Sequence, residues 1–468
     1  MSSPQTNEKK EEKSNDSRTK IEENDKNTSN SEGASCNPTL PDAADVEDPD
    51  IKLLKGDAIG DTLYSERFVL NTLLKLAEVK KDLQSEEEVE RDLCSLWDMT
   101  IEKDVVLFLL EQDVLEIFAG IIRATEDKRL SEILVGILAN MCNVYEARQQ
   151  LEQQEETVQI LLDLSSCLDS LTLEQLMRLF SVVFVKMEET SVGKWYNYLL
   201  KSDQFVKNIA FILASAANNT LVLQTMETLN AVLAKFAVME TNADVKVPTF
   251  EKVFVDTTLV GATIEGLQSL HKDIKSNLDN YDTIAESVIK GNQTFCNIHS
   301  ILSQYGEISK ESYAPFNEEM LSCIKEILKT VDDEPNAWHL YEPIVMDSLN
   351  DILRVLSNPF DLEIAQKLLK LHYKVSICME ERLKKSNKTN DFEESTDDEN
   401  DVDFELLLST ILSIILFIIL KTDDQTLEQC FTVCPRKYAI KLLDTFTQPI
   451  ENDALKSCYS KLKDLLKV

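Results

Sequence analysis

Arg129-Leu130-Ser131-Glu132-Ile133-Leu134-Val135-Gly136-Ile137-Leu138-Ala139-Asn140-Met141 decides how the chain is read. Its apolar residues Leu130, Ile133, Leu134, Ile137, Leu138 and Met141 fall at i, i+3, i+4, i+7, i+8 and i+11. That spacing winds them into one stripe along a helix. Two later stretches repeat the pattern, Leu173, Leu176, Met177, Phe180 and Phe184, then Val222, Met226, Leu229, Leu233 and Phe236. Their starts lie about 43 and about 49 residues apart, near the ~40–47 of helical repeats built from two or three helices. Shorter helices are expected between them, one through Val105–Leu110 and one carrying Val158, Leu161, Leu162 and Leu168.

Composition agrees with helices throughout. Only 10 glycines and 11 prolines occur in 468 residues, too few for the hairpin turns of a β-rich chain. Further helices are expected over 284–302, 318–330, 343–357 and 362–379, with Pro315, Pro335 and Pro359 at the breaks. Residues 240–256 read as an irregular connection. The predicted fold is an all-α, armadillo or HEAT-like solenoid in which each unit buries one stripe against the next and leaves a concave surface for a partner segment.

Two segments break the pattern. Residues 1–50 are almost free of aliphatic side chains and read as a disordered acidic tail, because such a composition cannot offset the entropy of ordering. Residues 391–405, DFEESTDDENDVDFE, hold nine carboxylates and no base, which makes them an acidic flexible loop. The expected organisation is a tail over 1–50, a repeat array over 56–390, the loop over 391–405, and C-terminal helices over 406–468 completing the array. Ser395 and Thr396 each precede a carboxylate by three positions, Asp398 and Glu399, and are candidate sites for an acid-directed kinase.

The formal net charge of −35 disfavours nucleic acid and anionic membrane surfaces, whose phosphates call for clustered Lys and Arg. Basic or extended protein segments match it better. Ten cysteines without a Cys-x-x-Cys pair read as core residues in a reducing compartment, and the polar N-terminus holds no signal-like apolar run. Leu406–Leu420 is apolar on every side, but fifteen residues of helix rise only about 22 Å against the ~30 Å hydrocarbon layer. The expectation is therefore a fully enclosed solenoid helix, with a membrane tether as the alternative.

No catalytic constellation emerges, and no cofactor, metal or small-molecule substrate is expected. The four histidines, His271, His299, His339 and His372, lack ligand spacing for zinc. Gly56-Asp57-Ala58-Ile59-Gly60 lacks the Gly-Lys-Ser/Thr ending of a phosphate loop and reads as a turn before a helix capped by Asp61 or Thr62. Cys430 and Cys434, four apart, suit packing on one helix face. The Trp97-Asp98 pair occurs once, which excludes a propeller, and Trp97 reads as a core residue over the first helical units.

VGILANM (Val135–Met141) resembles the third helix of an armadillo repeat, G-x-L-x-N-L. There Gly136 permits close helix approach, and Asn140 is placed to hydrogen-bond an extended partner with donor and acceptor together. Asn230, on the third striped helix, is the second candidate partner-binding residue. A closer resemblance lies in GDAIGDTLYSERFVL (Gly56–Leu70), DLCSLWDMTIEKDVVLFLLEQDVLEIFAGII (Asp92–Ile122) and RLSEILVGILANM (Arg129–Met141). These runs resemble the serum amyloid A-like protein family, specifically over 56–142 and weakly beyond about 240. The resemblance implies an armadillo-like protein of nucleus and cytoplasm that supports cell proliferation by binding other proteins, with no catalytic residues. A transport receptor reading basic cargo would share these features and is the main alternative.

Overall fold

A computed structural model describes residues 56–78, 87–202, 204–238, 249–276, 281–329, 342–386, 403–419, 421, 424–445 and 463. The expected tail, Ser395 and Thr396, and most of the acidic loop lie outside them. Nearly all the described residues belong to one compact unit, Asp57–Val468. Among them only an isolated Ala58–Ser65 bridge departs from helices and turns.

The chain opens with α1 (Glu66–Glu78) and α2 (Glu87–Met99). Three triplets follow: α3 (Lys103–Glu111), α4 (Val114–Ala124) and α5 (Lys128–Met141); α6 (Tyr145–Gln153), α7 (Glu155–Leu164) and α8 (Ser170–Val185); α9 (Val192–Lys201), α10 (Phe205–Ser215) and α11 (Asn219–Phe236). Two more are α12 (Phe250–Phe254), α13 (Thr257–Ser276) and α14 (Tyr281–Leu302), then α15 (Gly306–Tyr313), α16 (Asn317–Ile327) and α17 (Pro343–Val355). The chain continues through α18 (Leu362–Ser386), α19 (Phe404–Ile419), α20 (Asp424–Phe431) and α21 (Arg436–Thr445).

The long third helices stack in order, α2 on α5, α5 on α8, then α11, α14, α17 and α19. A second row runs through α10, α13, α16, α18 and α20. This is the stacking of an α-solenoid, since each element meets its counterpart in the next unit. Cross-unit bonds give the pitch directly. Asn140 reaches Trp97 and Lys186 reaches Asn143, both 43 residues back, Lys235 reaches Met187 at 48, and Ser300 reaches Asp351 at 51. The spacing lengthens along the chain, from 43 to 51 residues.

Acidic or amide side chains begin several of the long helices. Asp127 accepts from Leu130 N at 3.1 Å, Asp169 from Thr172 N at 2.9 Å, and Asn218 from Thr220 N at 2.9 Å. Each satisfies a backbone amide that the first turn leaves unpaired. In the middle units the stripes close on aromatic rings. Phe184 meets Trp195 and Phe236 edge-on at 5.6 and 5.8 Å, and Phe180 meets Phe205 at 5.1 Å.

Several local expectations need correction. α1 starts at Glu66, capped by Ser65, whose Oγ accepts from Phe68 N at 3.1 Å, rather than by Asp61 or Thr62. Gly60 takes a left-handed φ of +53 in the preceding turn, which suits glycine. α7 ends at Leu164, because Ser165 and Ser166 donate back to Leu162 O and Asp163 O, so Leu168 lies beyond the helix. Within 240–256, Phe250–Phe254 is a short helix with both rings buried. α20 ends at Phe431, so Cys430 and Cys434 share no helix. Phe404 and Glu405, expected in the loop, form the first turn of α19, with Asp403 accepting from Leu406 N at 2.9 Å. α19 is not enclosed all round. Leu407, Ile411, Ile414 and Ile418 are buried against α17 and α18, whereas Leu406 is 49% exposed. Among the described residues no helix is long and apolar enough to cross a membrane.

Candidate protein-binding face

Each long helix keeps a partly exposed stripe opposite its buried one. On α8 it holds Glu174, Arg178, Ser181 and Val185, and on α11 Glu227, Asn230 and Ala234. On α14 it includes Glu286, Lys290, Gln293 and Asn297, and on α17 Asp347, Asn350 and Arg354. Spacings of three and four residues, i, i+3 or i+4, i+7, place each set on one side of its helix. Side-chain pairs join the stripes into one face: Lys290 with Glu227, Ser300 Oγ to Asp351 Oδ2 at 2.8 Å, and Arg354 over the Phe417 ring at 4.9 Å.

α5 is the exception. It is buried continuously from Leu130 to Ala139, because its neighbours lay side chains over it. The Trp97 indole of α2 rests on Gly136, where an added Cβ would come within 2.6 Å of Trp97 Cη2. Arg178 of α8 reaches back and donates from Nη1 to Asn140 Oδ1 at 2.9 Å and from Nη2 to Gly136 O at 3.0 Å. Asn140 Nδ2 in turn donates to Trp97 O at 3.1 Å and to Thr100 Oγ1 at 3.2 Å. Asn140 is therefore a strut between α2, α5 and α8. The groove contact expected of it would require breaking bonds that use both its donors and its acceptor. Arg178 Nε is buried without a partner, and burial pulls the guanidinium pKa below its ordinary value.

Asn230 is placed differently. It is half-buried on α11 and makes no side-chain hydrogen bond among the described residues, so donor and acceptor are both unspent. It lies one turn from Glu227 on an open stripe.

The titratable groups in the interior are structural. His299 is fully buried, with Nε2 2.9 Å from Thr263 Oγ1 and Nδ1 2.6 Å from Tyr313 Oη, and burial lowers its pKa to about 3. His372 is also buried, beside Tyr438, and is lowered to about 4. Burial pushes the Cys142 and Cys296 thiols up to about 12. Among the described residues, no group of three or more His, Cys, Asp and Glu is placed to hold a metal ion.

No family model matches the chain. Single relatives do. The sequence is 31% identical to Protein saal1 of Xenopus tropicalis over 206 residues, 42% of this chain and 43% of that protein. Protein saal1 of Danio rerio is 30% identical over 220 residues, 44% of this chain and 46% of its own. Over that segment the chain is related to the SAAL family. Human SAAL1 is 29% identical over 188 residues, 37% of this chain. The matched segment spans less than half the length of each of these relatives. Among solved structures, SYS-1 superposes on 85% of this chain and 62% of its own with a TM-score of 0.47 at 11% identity. The complex of SYS-1 with POP-1 gives 0.44 at 12% identity, covering 81% and 57%. At these scores the fold assignment rests on the stacked triplets themselves.

Proposed function

We propose that this chain is a non-enzymatic scaffold that binds other proteins along the stripe shared by α8, α11, α14 and α17. The observation that carries the reading is the contrast between two asparagines of one helix row. Asn140 is consumed by internal struts, whereas Asn230 on α11 offers an unused donor and acceptor on the open stripe. A backbone in extended conformation needs both. Exposed Glu286 on α14 and Asp347 on α17, within a chain of net charge −35, favour a basic or extended partner segment. From the family resemblance we infer residence in nucleus and cytoplasm and a role in cell proliferation, and from the carboxylates at Asp398 and Glu399 phosphorylation at Ser395 and Thr396 by an acid-directed kinase.

Affinity purification from cells, with the full chain and with a triple variant Asn230→Ala, Glu286→Lys and Asp347→Lys, tests the binding face. These positions are partly or wholly exposed, so the fold is retained. Partners that bind the parent and are lost from the variant support the proposal. An unchanged set removes it. Imaging of the tagged chain and phosphopeptide mass spectrometry of 391–405 test location and modification.

A further inference from the structure

A second site lies at the N-terminal ends of α8 and α11, at the turns where α7 passes into α8 and α10 into α11. The turn Ser165–Ser170 and the turn Ala216–Asn218 bound a cleft of about 620 Å³, within the ~300–1,000 Å³ usual for ligand sites. Leu173, Ile212 and Leu221 supply buried apolar surface. Leu168 and Phe211 stand at it 89% and 63% exposed, an arrangement that leaves large apolar side chains in water with no neighbour. Leu168 is there because the serine hydroxyls end α7 early.

Two properties define the occupant. First, none of the residues lining the cleft is charged, although 28% of the chain is. A basic or acidic segment would lose its hydration there without gaining a counter-charge. Second, two amides among the lining residues are half-used. Among the described residues, Asn208 Nδ2 donates to Ser165 Oγ at 2.9 Å while its Oδ1 accepts nothing, and Asn218 Oδ1 caps α11 while its Nδ2 donates to nothing. One open acceptor and one open donor beside an apolar floor answer the N–H and C=O of a peptide. A simple lipophilic molecule has no use for them.

We infer that this cleft docks a short uncharged segment of another protein through leucine or phenylalanine side chains, its backbone held by Asn208 and Asn218. The inference rests on the scaffold reading and adds to it a separate surface whose uncharged partner differs from the one proposed for the long-helix stripe.

Selection of a phage-displayed random-peptide library on the full chain tests it. The expected winners carry Leu or Phe and no net charge, and compete with one another. Phe211→Asp and Leu168→Asp each weaken them at least tenfold, with the helical circular dichroism unchanged because both positions are exposed. Asn230→Ala leaves their binding intact, so failure of the stripe and failure of the cleft give different results. Four outcomes overturn the inference: no enrichment, winners that are basic or acidic, binding indifferent to Phe211→Asp, or occupation by a second copy of the chain, seen as a dimer that Phe211→Asp dissolves.

Discussion

Gly136→Ala is the sharpest test of how the first units pack. Alanine inside a helix is favoured over glycine by about 1 kcal/mol, so α5 taken alone predicts stabilisation. The structure predicts the reverse. A Cβ at 136 would overlap Trp97 Cζ2 and Cε2 and lie 2.6 Å from Cη2, and carbons in contact prefer ~3.5–4.0 Å, so the indole must move by more than about 1 Å. The Trp97 backbone cannot follow freely, because its carbonyl accepts from Asn140 Nδ2. Overpacking of this kind costs ~1–3 kcal/mol. The net expectation is a loss between roughly zero and 2 kcal/mol, which alone discriminates poorly.

A double-mutant cycle isolates the contact. In a Trp97→Leu background the ring that meets the Cβ is gone, and Gly136→Ala should stabilise by about 1 kcal/mol. The coupling between the two sites is then the overpacking energy itself, ~1–3 kcal/mol. Urea unfolding followed by circular dichroism measures it, with hydrogen exchange of the α5 amides as a local readout. A coupling below about 0.5 kcal/mol, the ordinary scatter for independent sites, would refute the close approach of α2 and α5.

Other expectations follow from the same geometry. Arg178→Ala strips Asn140 Oδ1 of its donor and Gly136 O of its second one, and should cost ~1–3 kcal/mol in urea unfolding, with no compensating release of an ion pair. His299 has its pKa lowered in the fold, to about 3 from the ordinary 6.5, so the unfolded chain takes up a proton first as pH falls. The histidine's contribution is whole above pH 6.5 and is lost on descending toward pH 3, at about 1.4 kcal/mol per unit, so pH 5 costs about 2 kcal/mol. His372 acts in the same sense down to about 4. Melting temperature recorded from pH 7.5 to 5 should therefore fall less steeply for His299→Gln than for the parent. Iodoacetamide at pH 8 should label the half-buried Cys94 and Cys378 well before Cys142 and Cys296, read by mass spectrometry of the native chain.

The helices were legible because their stripes are long. Thirteen residues around Ile137 repeat the 3.6-residue period three times, and no competing strand pattern exists there. Helix ends were less so. Whether Asp61, Thr62 or Ser65 caps α1 depends on Asp57 turning back to meet Ser65 Oγ and Arg67 N, which spacing alone does not reveal. Leu168 fits the register of α7, yet two consecutive serines bonded to carbonyls end the helix four residues earlier. The caps Asp127, Asp169 and Asn218 were available to the N-cap rule, each standing at the head of a stripe.

The candidate site divides on a subtler point. Asn140 and Asn230 are the same residue on the same row, and nothing adjacent in sequence says that one is occupied and the other open. The difference is made by Trp97, 43 residues earlier, and Arg178, 38 residues later, which converge on Asn140 from the two neighbouring units. In a solenoid every long helix is flanked on both sides, so the chemistry available on a unit is what its neighbours leave unused. A motif read within one repeat therefore fixes the position of a polar group but not its vacancy. Function is set one pitch away, and exchanging Arg178 for a residue too short to reach α5 would free the Asn140 Oδ1 acceptor while its Nδ2 stays bonded to Trp97 and Thr100.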